Sequence, residues 1–271
     1  MYTLLFFGAL LAYFTSAVFF ILFAVNKQSL NRSAAVRGAL VGFISHTAAL
    51  VARWVVSGFP PMSNLYESMS LFSWAVVLVF LLIEHKTRIS VIGAFVMPLA
   101  FLITGCASLL ESTVKPLMPA LQSYWLVIHV MSCFLGYACF SCAFCLGIMY
   151  LFQEYLVKSK RIGKFSERLP SLEAMDRVNY DTVLLGFVLL TAGIITGSIW
   201  AQQAWGSWWS WDPKETWSFI TWLVYAAYLH ARFNAGWRGR RTAILSIIGF
   251  FSVLFTYLGV SFLLPGMHSY L

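Results

Sequence analysis

Residues 2–25, YTLLFFGALLAYFTSAVFFILFAV, form a continuous run without a charged side chain. A helix needs about 20 apolar residues to cross a hydrocarbon core about 30 Å thick, because each residue adds about 1.5 Å. This stretch is therefore long enough to span a membrane. It has no basic segment at its start and continues as a full span, so we interpret it as a retained transmembrane helix and not as a cleaved signal peptide.

Similar runs continue along the whole chain. Of the 271 residues, 60% are hydrophobic and 10% are charged, and the mean hydropathy is +0.79. A soluble chain of this length carries many more charges. We therefore expect an all-α fold, a polytopic helix bundle in a single integral membrane domain over residues 1–271. About eight transmembrane helices are predicted, near residues 2–25, 36–57, 68–84, 89–110, 122–152, 180–200, 213–231 and 242–264.

The positions of the basic residues predict the orientation. All of the 18 lysines and arginines except Arg53, Lys115 and Lys214 fall in the loops after the first, third, fifth and seventh spans. Basic loops stay in the cytoplasm or its equivalent, so both termini are expected on the outer side. The basic segment 153–178 is predicted to be a solvated cytoplasmic loop. Topology accounts for the net charge of +8, and no nucleic-acid partner is expected.

Residues 205–217, WGSWWSWDPKETW, place five tryptophans between the sixth and seventh spans, on the predicted outer side. Asp212, Pro213 and Glu215 have the order of a capping box that begins a helix, which gives Asp212 a structural role. Tryptophans also form belts at membrane interfaces, but a belt usually scatters one or two at each helix end. The density here favours a platform for a large planar ligand.

Five histidines lie at positions 46, 85, 129, 230 and 268. His85 is most simply a solvated loop residue. His129, at the outer end of the fifth span, and His268, in the outer tail, flank the tryptophans. His46 and His230 lie within spans, where polar residues tend to mark function, although a lone histidine is more often a packed, hydrogen-bonded residue.

Two imidazoles on one face beside an aromatic surface favour haem, because two histidines can clamp haem iron from both sides. Zinc is disfavoured, since no cysteine or carboxylate joins these histidines at the close spacing of zinc sites.

The stretch WGSWWSWDPKETW resembles the "WWD" signature of the haem-handling proteins of cytochrome c biogenesis, specifically the CcsA/ResC branch of the System II pathway. The resemblance runs from PPMSNLYES at residues 60–68 to His268. The number of spans and the DPKETW continuation favour this branch over the shorter CcmC and the longer CcmF branches.

The resemblance implies that His129 and His268 are the axial ligands of haem iron and that His230 is an intramembrane haem ligand. His46 is a possible further ligand, although the family attributes the second intramembrane ligand to a companion protein, CcsB or ResB. The external haem-binding segment is expected over residues 201–217, with Trp205, Trp208, Trp209, Trp211 and Asp212 as its binding residues.

The function implied by the resemblance is to move or hold haem b at the outer face of the membrane and to present it to apocytochrome c. The two thiols of a Cys-x-x-Cys-His segment would then form thioether bonds to the haem. The expected partners are a CcsB/ResB-type membrane protein, apocytochrome c and a thiol-reducing system. The chain would act as the haem-presenting subunit of a cytochrome c synthase in a bacterial inner membrane or a thylakoid membrane, with its tryptophans on the periplasmic or lumenal side.

Two other classes of function are consistent with the same residues. One is a haem exporter without attachment chemistry, and the other is a b-type electron carrier that uses His46 and His230. The chain has no Cys-x-x-Cys-His segment of its own, so it is not itself a c-type cytochrome. It also has no glycine-rich phosphate loop. Its five cysteines are expected to be packing residues in the fourth and fifth spans.

Overall fold

The structure, a computed structural model, describes residues 2–26, 28–114, 116–160, 169–264 and 266. The regular secondary structure of these residues is entirely helical. The α-helices are α1 Tyr2–Asn26, α2 Ser29–Ser57, α3 Leu65–Thr87, α4 Gly93–Ser108, α5 Tyr124–Lys158, α6 Leu172–Trp205, α7 Pro213–Asn234, α8 Arg240–Leu254 and α9 Val260–Leu263. A π-helical stretch, Phe255–Gly259, joins α8 to α9 without a break. Short 3₁₀ turns at Ser90–Ile92 and Pro119–Leu121 precede α4 and α5.

The predicted all-α membrane bundle is confirmed. Seven of the described helical segments are long and apolar enough to cross a membrane, and the continuous segment Arg240–Leu263 is one of them. Among the described helices that were predicted to be spans, α7 is the one that is not apolar enough to be counted as a membrane span. Polar side chains such as Lys214, Glu215 and His230 lower its hydropathy, yet α7 packs against α6 and α8 within the bundle.

Several helices extend beyond the predicted spans. α5 continues to Lys158 and α6 begins at Leu172, so both ends of the predicted loop 153–178 are helical. Glu154 accounts for part of this extension, because its carboxylate pairs with Lys158 one turn later and with Arg240 at the start of α8. The segment 201–217 is likewise shared between the end of α6, a short connection at 206–212 and the start of α7.

The packing of α5 against α6 depends on two glycines four residues apart on α6. A Cβ atom added at Gly193 would lie 2.5 Å from Cys133 Sγ, and one added at Gly197 would lie 2.5 Å from His129 Nδ1. Both distances are shorter than any ordinary contact, so the side chains of α5 occupy space that only glycine leaves open. Small residues at this spacing let membrane helices approach closely. The approach fixes His129 and Cys133 against the backbone of α6.

Candidate functional site

A cavity of about 200 Å³ opens where the start of α3, the first turns of α5, the end of α6, the 206–212 connection, the start of α7 and the π-helical stretch meet. Its lining is mainly apolar. The side chains that give it chemical character are His129 and Cys133 from α5, Trp208 and Trp209 from the connection, Lys214 and Glu215 from α7, and Tyr257 and Ser261. Four parts of the chain that are far apart in sequence, near residues 62–68, 121–137, 194–218 and 256–261, therefore form one site.

His129 is held in one tautomer. Its Nδ1 lies 2.7 Å from the carbonyl oxygen of Gly193, and a carbonyl can only accept a hydrogen bond, so Nδ1 carries the proton. In the neutral imidazole the lone pair is then on Nε2. The imidazole ring also stacks on the buried Trp200, with ring centroids 6.1 Å apart and planes 16° from parallel. Histidines that bind metals are oriented in this way, by a hydrogen bond from the other ring nitrogen to a carbonyl or carboxylate.

Two of the four predicted indoles line the cavity. Trp208 is 56% exposed, and Trp209 makes edge contacts with Trp211 and Phe219. Trp205 instead packs on Trp200, with ring centroids 4.7 Å apart. Trp211 is 68% exposed and does not line the cavity. The aromatic segment thus contributes one pair of indoles to the cavity wall.

The predicted capping box is confirmed. Asp212 Oδ1 accepts a hydrogen bond from the Lys214 backbone N–H, and Glu215 Oε2 accepts one from the Asp212 backbone N–H. The same Glu215 oxygen also accepts bonds from the backbone N–H and the hydroxyl of Ser210. These bonds fix the connection in a conformation that gives Trp211 a φ of +61°, which is strained for a bulky residue. Asp212 and Glu215 therefore determine the shape of the loop that carries the indoles.

The described end of the C-terminal tail reaches this loop. Gly266 packs so closely on Asp212 that an added Cβ would lie 2.6 Å from Asp212 Oδ2. His268, the predicted second axial ligand, follows two residues later in the sequence and lies outside the described residues.

His46 lies away from the cavity and is completely buried. Its Nδ1 is 3.2 Å from the Tyr13 hydroxyl and its Nε2 is 2.8 Å from the Ser70 hydroxyl. Phe6 also contacts the ring edge-on. Both ring nitrogens are thus hydrogen-bonded to the protein, which is the arrangement of a packing histidine.

His230 is exposed on the face of α7 that points away from the bundle, and Asn234 Nδ2 donates a hydrogen bond to its Nδ1. It does not line the cavity. At about 1.5 Å per residue it lies about 24 Å along α7 from Lys214. The structure therefore does not bring His230 together with His129.

Several lining residues were not predicted from the sequence. Cys133 lines the cavity with its Sγ 3.7 Å from His129 Nδ1, and Cys106 is exposed, so the expectation that all five cysteines are packing residues holds only for the buried Cys139, Cys142 and Cys145. The spacing of Gly193 and Gly197 could have indicated a close contact of α6 with another helix, but not that Cys133 lines a cavity.

A buried ion pair supports the cavity from the side of α3. Arg53 Nε lies 2.7 Å from Glu67 Oε1, and both side chains are almost completely buried. The other Glu67 oxygen accepts bonds from the backbone N–H and hydroxyl of Ser63, which lines the cavity. The isolated arginine at the predicted outer end of the second span was the sequence signal for this pair.

Comparison with known proteins agrees with the resemblance. Residues 62–268 match the family model described as Cytochrome C assembly protein. The chain is 40% identical to the "Cytochrome c biogenesis protein CcsA" of Pyropia yezoensis over 97% of this chain and 92% of that protein. It is 43% identical to the protein of the same name from Prochlorococcus marinus subsp. pastoris, over 82% of this chain and 78% of that protein.

One solved structure, titled "Cytochrome c Heme Lyase CcmF", has a similar fold. It superposes with a TM-score of 0.67 at 19% identity and covers 95% of this chain but 46% of the lyase, so this chain spans about half of that protein's length. The family model and the two relatives match most of this chain with a common description, and the chain therefore belongs to the CcsA family of cytochrome c biogenesis proteins.

Proposed function

We propose that this chain holds haem b as a substrate in the cavity beside His129 and presents it for attachment to apocytochrome c. The observation that carries the proposal is the fixed tautomer of His129, whose Nε2 lone pair belongs to a side chain of the cavity wall. Imidazole is a common axial ligand of haem iron.

The other lining residues fit the same substrate. A porphyrin has two broad apolar faces, and the cavity offers a mainly apolar wall with the indoles of Trp208 and Trp209. The tail packs on Asp212 at Gly266, close in sequence to His268. We propose His268 as the second axial ligand.

The chain's contribution to the chemistry would be positioning. His129 and His268 hold the iron while the indoles hold the porphyrin plane. Each thiol of an apocytochrome Cys-x-x-Cys-His segment adds across a haem vinyl group, forming a carbon–sulfur bond and returning its hydrogen to the neighbouring carbon. The apocytochrome histidine then replaces one of the chain's own ligands. Holding both reactants in one geometry removes much of the entropic barrier to such a reaction.

The positions of the charges support an outer location for this site. The cavity shares its end of the bundle with Lys214 and the Arg53–Glu67 pair. The cytoplasmic side would then carry the basic loops, including the described ion pairs of Arg232 with Asp176 and of Arg240 with Glu154. By the positive-inside rule, this distribution of charges supports our proposal that the tryptophans face the periplasmic or lumenal side of a bacterial inner or thylakoid membrane.

Partners would complete the pathway. His230 faces outward from α7, which suits an intramembrane haem ligand whose counterpart comes from a CcsB/ResB-type protein. A thiol-reducing system would keep the apocytochrome cysteines reduced. A haem exporter would use the same cavity, and no separate observation favours it. The electron-carrier alternative loses support because both nitrogens of His46 bond protein hydroxyls.

Replacement of His129 by alanine tests the proposal. The variant should lose c-type cytochrome maturation, and added imidazole should restore part of it by filling the vacant axial position. His85→Ala, on the exposed last turn of α3, is the matched control and should mature cytochromes normally. Normal maturation by His129→Ala without imidazole would show that the cavity does not present haem through this residue.

A further inference from the structure

The cavity wall contains a cation, Lys214, that forms no ion pair with another described residue. Most of the Lys214 side chain is buried, and its Nζ donates a hydrogen bond of 2.9 Å to Ser261 Oγ. Among the described residues, no carboxylate forms an ion pair with this ammonium group. Asp212 acts on it only at longer range.

The nearby carboxylates are engaged elsewhere. Glu215 accepts three hydrogen bonds from Ser210 and Asp212, and Asp212 Oδ1 caps the Lys214 backbone N–H. The contrast with the bundle's most buried cations is clear, since Arg53 pairs with Glu67 and Arg232 pairs with Asp176. A charge in an apolar cavity is costly unless an anion or a set of hydrogen bonds compensates it.

We infer that Lys214, with the Ser261 hydroxyl beside it, binds a carboxylate of the substrate and so sets the direction in which haem enters the cavity. This inference rests on the proposed function. Haem b carries two propionate groups on one edge and two vinyl groups on the opposite side of the ring. A propionate anchored at Lys214 therefore turns the vinyl edge away from α7 and α9, toward the rest of the cavity.

This assignment gives the indoles of the 206–212 connection and Lys214 at the start of α7 different tasks. Trp208 and Trp209 recognise the faces of a porphyrin, which are the same whichever edge enters first. Lys214 distinguishes one edge from the other. Attachment chemistry needs that distinction, because thioether bonds form only at the vinyl carbons.

The test compares two probes that differ only at the propionate groups, iron protoporphyrin IX with its two free carboxylates and its uncharged dimethyl ester. Each is titrated into the purified full-length chain with its membrane partner, and binding is followed by the Soret absorbance. The chain should bind the acid more tightly than the ester. Lys214→Met should weaken binding of the acid by about 10- to 100-fold, the usual effect of losing a charged hydrogen bond, and leave binding of the ester unchanged.

Two further variants control the measurement. Lys214→Arg keeps the charge and should keep most of the preference for the acid, and Lys86→Met removes an exposed lysine at the far end of α3 and should change neither affinity. If Lys214→Met retains the acid-to-ester ratio, or weakens both probes equally, the inference is wrong. An unchanged ratio with weaker apocytochrome binding would assign Lys214 to a carboxylate of the apocytochrome.

The same titration separates the two proposals. Failure of the unaltered chain to bind either probe would contradict the proposed function. Equal binding of both probes by the unaltered chain would overturn the role of Lys214 alone.

Discussion

The hydrogen bond from His129 Nδ1 to the Gly193 carbonyl connects the fold to the proposed chemistry. It selects the tautomer, and the stacked Trp200 ring limits rotation of the imidazole. A ligand prepared in this way loses little freedom when it binds iron. The sequence predicted His129 as a ligand through its family resemblance, but it did not show which ring nitrogen would be available to bind iron.

Trp208 lines the cavity and Trp211 does not, although both indoles are exposed and the two residues are only three positions apart in sequence. Trp208→Ala should lower the haem affinity of the purified chain by about 10-fold or more, because burying an aromatic side chain against a ligand contributes about 1.5–3 kcal/mol. Trp211→Ala should change haem affinity much less. Haem content per mole of purified protein, at equal abundance in the membrane, measures the difference.

Equal losses in the two tryptophan variants would support an interfacial belt instead of a binding wall. Unequal losses in membrane abundance would indicate a structural role for the indole concerned. The sequence could not separate these two tryptophans, because the positive φ of Trp211 turns that residue out of the cavity and depends on the bonds that Glu215 makes to the loop.

The contact between α5 and α6 sets the position of His129, and Gly197 makes that contact possible. Gly197→Ala should displace the imidazole ring, weaken its bond to Gly193 and reduce haem binding. Overpacking of this kind costs about 1–3 kcal/mol, so the thermal stability of the chain in detergent should fall as well.

Gly105 provides the matched control, since it also lies in a helix and an added Cβ there meets nothing within 4 Å. Gly105→Ala should leave haem binding unchanged and should not lower stability, because alanine is the better helix former. Comparison of melting temperature and Soret absorbance for the two variants checks this. Similar behaviour of both variants would show that the α5–α6 contact does not position the site.

The sequence predicted a helix accurately where a run of uncharged residues is long enough to cross a bilayer. The first apolar run and α1 agree within about one residue, because uncharged residues fill that span. The extension of α5 to Lys158 and the early start of α6 at Leu172 were not predicted, since both lie among charged residues. Their helical form depends on contacts such as Glu154 with Arg240, which join residues 86 positions apart.

The cavity as a whole depends on tertiary packing that the sequence does not encode locally. Ser68 and Tyr257 both line its wall and are hydrogen-bonded to each other, although they are 189 residues apart in sequence. The sequence predicted His129, Trp208 and Trp209 as members of the site. It gave no indication of Cys133, Tyr257 or Ser261, because their place depends on how α5 and the π-helical stretch pack around α7.

The bundle also separates the histidines into different environments. His129 lines the cavity, His46 is bonded within the core, and His230 faces outward about 24 Å along α7 from Lys214. A single haem held by the chain alone would therefore lie at His129. A second protein ligand for a haem at His230 would have to come from a residue other than His46 or His129.

A density map of the purified chain and its membrane partner, prepared with haem, tests the central claim most directly. The account predicts a porphyrin in the cavity, with its iron bonded to Nε2 of His129 on one side and to His268 on the other, and with one propionate at Lys214. Haem density confined to His46 or His230, with His129 in contact with no porphyrin, would contradict it.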